Sequence, residues 1–242
     1  PGLSGGPTLK HVLDELNRTL PEENPLSGKT ALAFARSIRR ASEERLRTLG
    51  HGSNGESCTT HISVVDRDGT MVSLTNTLLS RFGSKVVAPS LDLLMNNGMM
   101  WFDPRPGQPN SIAAGVKPLA NMCPIIASKN GSPHIALGAA GGRQIMPAVA
   151  QILSYIDVFG MSPEAAFHAP RIAASGVKLR VSERAKPDVA ARSSEEFPVE
   201  IIEETLYPVN FSIPSIVMRE DGHNIGMAHP YHPWAAVRTE AE

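Results

Sequence analysis

"SCTTHISVVDRDGTMVSLTNTL", residues 57–78, sets two runs of alternating β-branched and polar residues on either side of Asp68-Gly69. An Asp-Gly pair between two such runs is a strong signal for a tight β-hairpin. Thr59 and Thr77 lie at nearly equal separations from that turn, so the hairpin predicts that they sit side by side. Just upstream, "GHGSNGES", residues 50–57, has three glycines and no apolar side chain, which predicts an exposed, readily cut loop. A loop of this kind running directly into a strand that opens with Thr59-Thr60 frames the chemical question of the chain.

Working outward, "CPIIASKNGSPHIALGAA", residues 123–140, predicts a second hairpin turning at Asn130-Gly131. "FSIPSIVMREDGHNIGMAHP", residues 211–230, predicts further strands with a turn near Asp221-Gly222. Helices are expected around these strands. Leu9, Val12, Leu13 and Leu16 form one helical stripe, and Ala31, Ala35, Ile38 and Leu46 another that ends near Gly50. Ile145, Val149, Ile152 and Ile156 mark a helix between Gly142 and Gly160, and Ser162-Pro163 is an N-cap followed by proline at the first helical position. Helices flanking hairpin-connected strands give an α+β sandwich.

The chain has 242 residues, of which 41% are hydrophobic and 19% charged, enough to bury a full core. Its 23 basic and 24 acidic residues leave a formal charge of −1, which favours neither nucleic acid nor an anionic membrane as partner. No apolar run approaches the roughly 20 residues of a membrane helix. Two cysteines, Cys58 and Cys123, make no disulfide framework. The opening "PGLSGGP" has no charged n-region or apolar h-region, so no targeting segment is expected in what is visible, and the compartment stays open between cytoplasmic and periplasmic or extracellular.

A threonine hydroxyl is a poor nucleophile without a base to take its proton. One compact solution makes the threonine the first residue of a chain, where its own α-amine, with a pKa of about 7.7–8.0, is partly unprotonated at neutral pH. That requires a cut immediately before the threonine, and Cys58-Thr59 is the candidate bond.

"TTHISVVDRDGTMVSLTNT", residues 59–77, closely resembles the start of the small subunit in the γ-glutamyltranspeptidase family. "FGSKVV", "LLMNNGMMWF", "KPLANMCPI", "ALGAAGGRQI" and "EAAFHAPRI" follow in the family's order, and the opening "PGLSGG" is similar to a segment near the end of the large subunit. The resemblance implies an N-terminal-nucleophile (Ntn) hydrolase with a four-layer αββα sandwich, made as a precursor that cuts itself. Residues 1–58 would then belong to the large subunit and 59–242 would form the small one. It further implies that Thr59 is the nucleophile for both cleavage and catalysis, with Thr77 hydrogen-bonded to it. The backbone N–H groups of Gly141 and Gly142 would form the oxyanion hole, a role that suits donors at a helix N-terminus.

The pattern departs from the family where the donor's polar groups are held. Leu79 stands where the family has asparagine, Gly98 and Trp101 replace a glutamine and an aspartate, and Ala120 and Asn121 replace a serine pair. A buried ammonium without its carboxylate loses several kcal/mol, so a γ-glutamyl donor is disfavoured and an acyl group without an amine is favoured. Asn121, with Lys117 or Arg143, is a candidate holder of a substrate carboxylate or carbonyl. Water is the expected acceptor.

The expected partners are a small-molecule amide and the remainder of the large subunit, in a dimer of processed heterodimers. No metal or cofactor is expected, since His223, His229 and His232 match no usual ligand spacing. His61 should lie on the same strand face as Thr59 and is ranked as a supporting residue, whereas Thr60 should simply pack. Two rival readings are a γ-glutamyl hydrolase-transpeptidase with substituted binding residues and an unprocessed, non-catalytic relative that serves in assembly or binding.

Overall fold

The computed structural model describes residues 5–21, 24–50, 58–206 and 210–240. The glycine-rich loop at 51–57 and the opening residues 1–4, both used above, lie outside the described residues. Two helices come first, as the apolar spacing predicts. Helix α1 (Gly5–Thr19) buries Leu9, Val12 and Leu16, and α2 (Gly28–Thr48) buries Leu32, Phe34, Ala35 and Ile38. Ser27 caps α2 by accepting the Thr30 N–H at 3.2 Å.

The period then switches from helix to strand. Strands β1 (Cys58–Val65) and β2 (Met71–Leu79) pair antiparallel around a turn closed by Asp66, whose carboxylate accepts the N–H groups of Asp68 and Thr70. Two-residue strands β3 (Val87–Ala88) and β4 (Leu93–Leu94) form a small ribbon ahead of a 3₁₀ turn at Gly98–Trp101. Strands β5 (Ile125–Lys129) and β6 (Ser132–Ala140) turn through Asn130 at φ +53° and Gly131 at φ +83°, both left-handed as a type I′ turn requires.

After β6 come α3 (Ile145–Asp157) and α4 (Pro163–His168), the latter capped by Ser162 as expected. Strands β7 (Ile172–Ala173) and β8 (Leu179–Ser182), helix α5 (Pro187–Ser193) and strand β9 (Val199–Ile202) form a small mixed sheet in which β8 and β9 run parallel. This unit is absent from the sequence reading. Its strands are too short for a period to emerge, and a parallel pair joined through a helix leaves no turn signal. Strands β10 (Ile213–Glu220) and β11 (His223–Ala228) close the chain and join the central antiparallel sheet, ordered β11-β10-β6-β5.

That sheet has two different faces. Ile135, Leu137, Ala139, Ile216 and Met218 point to the helices and share one core with α1, α2 and α3. On the opposite face lie Ala136, Gly138 and Ala140, small enough to let the β1-β2 hairpin lie close. The hairpin approaches with its polar side: Ser63 donates to Ser215 O at 3.2 Å and Ser73 to Leu137 O at 3.1 Å. A β-carbon at Gly138 would fall 2.2 Å from the His61 ring, so only glycine permits this stacking.

The layers therefore run helix, sheet, sheet, in the order expected of an αββα sandwich. The hairpin's outer face is left bare by the described residues, with Ile62 51%, Val64 46%, Val72 49% and Leu74 53% exposed. Thr60 lies on that exposed face, so the expectation that it packs is not met among the described residues.

Candidate active site

Strand alternation turns Thr59, His61, Thr75 and Thr77 to the inner side of the hairpin, and the register pairs Thr59 with Thr77. A bulge follows at once. The pairing shifts between Thr59 and Cys58, which lies opposite Leu79, so one residue of β2 is extra at the point where the candidate scissile bond sits.

The bulge redirects backbone groups onto one hydroxyl. Thr59 Oγ1 donates to Thr77 Oγ1 at 3.0 Å, the Leu79 N–H donates to the same oxygen at 2.9 Å, and Thr77 Oγ1 donates to the Cys58 carbonyl at 3.1 Å. Leu79 accommodates the bulge at φ +70°, a left-handed conformation that costs a branched side chain about 1 kcal/mol or more. Its side chain is nonetheless buried and walls the site.

His61 lies on the same strand face as Thr59, as expected. Its Nδ1 is 2.8 Å from Thr75 Oγ1 and its Nε2 is 3.0 Å from Ser63 Oγ, which locks the ring between the two sheets. Burial pushes its pKa down to about 4, so the ring is neutral at physiological pH and both nitrogens are occupied in packing.

Gly141 and Gly142 stand between β6 and α3, at φ +137° and +60°. A β-carbon on Gly141 would meet Ser212 Cα at 2.9 Å, and the turn is closed by the Gln144 N–H on Gly141 O at 3.1 Å. Ser212 Oγ donates to Ala140 O at 2.7 Å, and buried Arg171 donates to Ser212 O at 3.3 Å. The paired glycines are thus held from behind by the segment that leads into β10.

One cavity of about 660 Å³ joins these parts. Thr59, Leu79, Trp101, Asn121, Gly141, Gly142 and Arg143 all line it. Gly98 and Ala120 do not. Gly98 lies in the 3₁₀ turn that carries Trp101, with its N–H donating to Asn96 Oδ1 at 2.9 Å, and Ala120 is buried beside Asn121. Lys117 is exposed and outside the lining, so of the two cations considered only Arg143 reaches the cavity.

Ser175, Lys178, Arg180 and Glu200 line it as well, although no sequence motif marks them. Glu200 faces both cations, at 3.8 Å from Lys178 and 3.5 Å from Arg180. These residues come from the small mixed sheet and the loop between its strands β7 and β8, a unit that carries no signal in the sequence.

The thiols and the remaining histidines take no part in the cavity lining. Cys58 is exposed and Cys123 buried, its thiol pKa pushed up to about 12 by burial. His223 opens β11, His232 meets Trp234 edge to face, and His229 lies 3.4 Å from Arg171. Burial, reinforced by Arg171, pushes the His229 pKa down to about 3.

Residues 10–230 match the family model described as Gamma-glutamyltranspeptidase. Among curated proteins the chain is 38% identical over 139 residues to the acylase ACY 1 proenzyme of Pseudomonas sp. (strain V22), covering 57% of this chain and 25% of that protein. It is 31% identical over 184 residues to the glutathione hydrolase proenzyme of Escherichia coli (strain K12), covering 71% and 31%. The chain thus spans about a quarter to a third of the length of these two relatives. Among solved structures, cephalosporin acylase from Bacillus halodurans superposes with a TM-score of 0.75 at 20% identity, over 100% of this chain and 50% of that one, a likeness of fold.

Proposed function

This chain belongs to the γ-glutamyltranspeptidase family, and on that premise we propose that it is the C-terminal part of an autoprocessing amidohydrolase whose nucleophile is Thr59. The observation that carries the reading is the hydrogen-bond chain from Thr59 Oγ1 through Thr77 Oγ1 to the Cys58 carbonyl. In the uncut chain Thr59 Oγ1 attacks the Cys58 carbonyl carbon. Its proton passes to Thr77, which delivers its own proton to the developing alkoxide. Collapse breaks the Cys58–Thr59 C–N bond with the proton going to nitrogen, and leaves an ester that water hydrolyses. The products are a carboxylate on Cys58 and a free α-amine on Thr59, so residues 1–58 end one subunit and 59–242 form the other.

The freed amine then serves as base for the second reaction. Thr59 attacks the amide carbonyl of a bound substrate, the N–H groups of Gly141 and Gly142 stabilise the oxyanion, and the amine protonates the leaving nitrogen. Water resolves the acyl-enzyme. The lining of the cavity favours an acyl group without an α-ammonium: Trp101 and Leu79 are apolar, and the one acid lining it among the described residues, Glu200, already faces Lys178 and Arg180.

The partner is the remainder of the large subunit, laid on the bare outer face of the hairpin. Apolar residues that are half exposed on four positions of one hairpin face need such a cover, and the two relatives are each more than twice as long as this chain. The assembled form is a dimer of these processed pairs. The charge is nearly balanced, and no helix among the described residues is long and apolar enough to cross a bilayer.

The acyl-enzyme gives the test. The processed full-length protein is quenched during turnover of an acyl p-nitroanilide and digested, and the peptide beginning at Thr59 should gain the mass of the acyl group. Turnover with the acyl mass found on a cysteine peptide instead would contradict the assignment.

A further inference from the structure

The loop between β7 and β8, residues 174–178, gives four consecutive residues, Ser175, Gly176, Val177 and Lys178, to the wall of the main cavity. Little within the loop fixes its shape. Among the described residues no turn hydrogen bond closes 175–178, Val177 is 84% exposed, and a β-carbon on Gly176 would meet nothing nearer than Lys178 O at 3.7 Å. The ion pair of Lys178 with Glu200 is long, at 3.8 Å, and solvent-exposed, so it adds little.

The hold comes from the other side of the proposed cut. Arg39, on α2, donates from Nε to Ala174 O at 3.1 Å and from Nη2 to Val177 O at 3.2 Å, so one edge of its guanidinium spans the loop. Its Cζ lies 5.5 Å from the centroid of the Phe197 ring, and Phe197 packs against the core, which gives the guanidinium a fixed backing.

We propose that Arg39 is a positioning residue that sets the shape of this cavity wall, and with it the affinity for substrate. The inference rests on the amidohydrolase reading given above and adds to it a residue that acts across the Cys58–Thr59 bond. Arg39 does not itself line the cavity, so its effect passes through the loop. A loosened wall weakens the hold on bound substrate, whereas Thr59, Thr77, Gly141 and Gly142 are placed by β1, β2, β6 and α3 and keep their geometry. KM should therefore move and kcat should not.

The test uses the full-length processed protein on butyryl-, glutaryl- and γ-glutamyl-p-nitroanilide, so that any of these acyl classes can report. R39Q should raise KM about tenfold, the scale of losing two charge-assisted hydrogen bonds at a partly solvated place, with kcat and the extent of processing unchanged. R39K should lie between the two, since one ammonium lacks the two-donor edge of the guanidinium. Gly176 is not left-handed and has open space around it, so G176A is accepted there and stiffens the loop; added to R39Q, it should recover part of the lost affinity. Hydrogen exchange read by mass spectrometry should quicken about tenfold in R39Q in peptides covering 174–178 and stay unchanged in β1 and β2.

A KM that R39Q leaves unchanged, a kcat that falls in its place, or exchange that quickens throughout the protein would each overturn the positioning role and leave the amidohydrolase reading intact. Unaltered protein that carries a free Thr59 terminus and turns over none of the three anilides would overturn the amidohydrolase reading, and this inference with it.

Discussion

Thr77 sits where three hydrogen bonds meet, and its hydroxyl both accepts from Thr59, the proposed nucleophile, and donates to the Cys58 carbonyl that the proposed cut attacks. A hydroxyl is needed for this and a methyl is not. Thr77→Ser should therefore process near the normal rate, while Thr77→Val, which keeps the shape, should slow the cut by about 100-fold, the scale of losing one positioned proton donor. A denaturing-gel time course reads the rates, and Val processing as fast as wild type would remove Thr77 from the mechanism. The pairing of Thr59 with Thr77 was legible in the sequence, because the Asp68-Gly69 turn sets the register. The bulge at Leu79 was not, since nothing in a run of threonines and leucines marks an extra residue. Arg39 was equally invisible: it meets the carbonyls of Ala174 and Val177 from 135 and 138 positions away in the chain, and only packing brings them together.

At the scale of elements, the β1-β2 hairpin inverts a common expectation. Its alternation of apolar and polar residues is plain in the sequence, but the side buried against the central sheet is the polar one, and Gly138 under the His61 ring is what lets the two sheets meet. Gly138→Ala should force the ring away and destabilise the fold by about 2 kcal/mol or more, seen as a lower urea midpoint. Adding His61→Ala should restore part of the loss, because the two positions share one contact. An unchanged midpoint for Gly138→Ala would show that the sheets are held apart by something else. The hairpins, the long helices and the Ser162 cap were all readable from turn and capping residues. The β7-β8-β9 unit was not, and with it went Ser175, Lys178, Arg180 and Glu200, because two- to four-residue strands joined through a helix carry neither period nor turn signal.

Taken whole, the molecule packs as one unit across the proposed cut. Helices α1 and α2, which precede the Cys58–Thr59 bond, share one core with α3 and the central sheet, which follow it. A cut there would leave both pieces bound, free one α-amine in the cavity and disturb little else. The outer face of the hairpin is left bare by the described residues, and it is the surface that the proposed remainder of the large subunit would cover. The most direct test of Thr59 as a self-generated N-terminal nucleophile is the intact mass of the full-length protein after expression, with Thr59→Ala beside it. Two pieces are predicted for the wild type, the smaller beginning at Thr59, and one uncut chain for the variant; a wild-type chain that stays whole, or a cut that Thr59→Ala leaves in place, would contradict it.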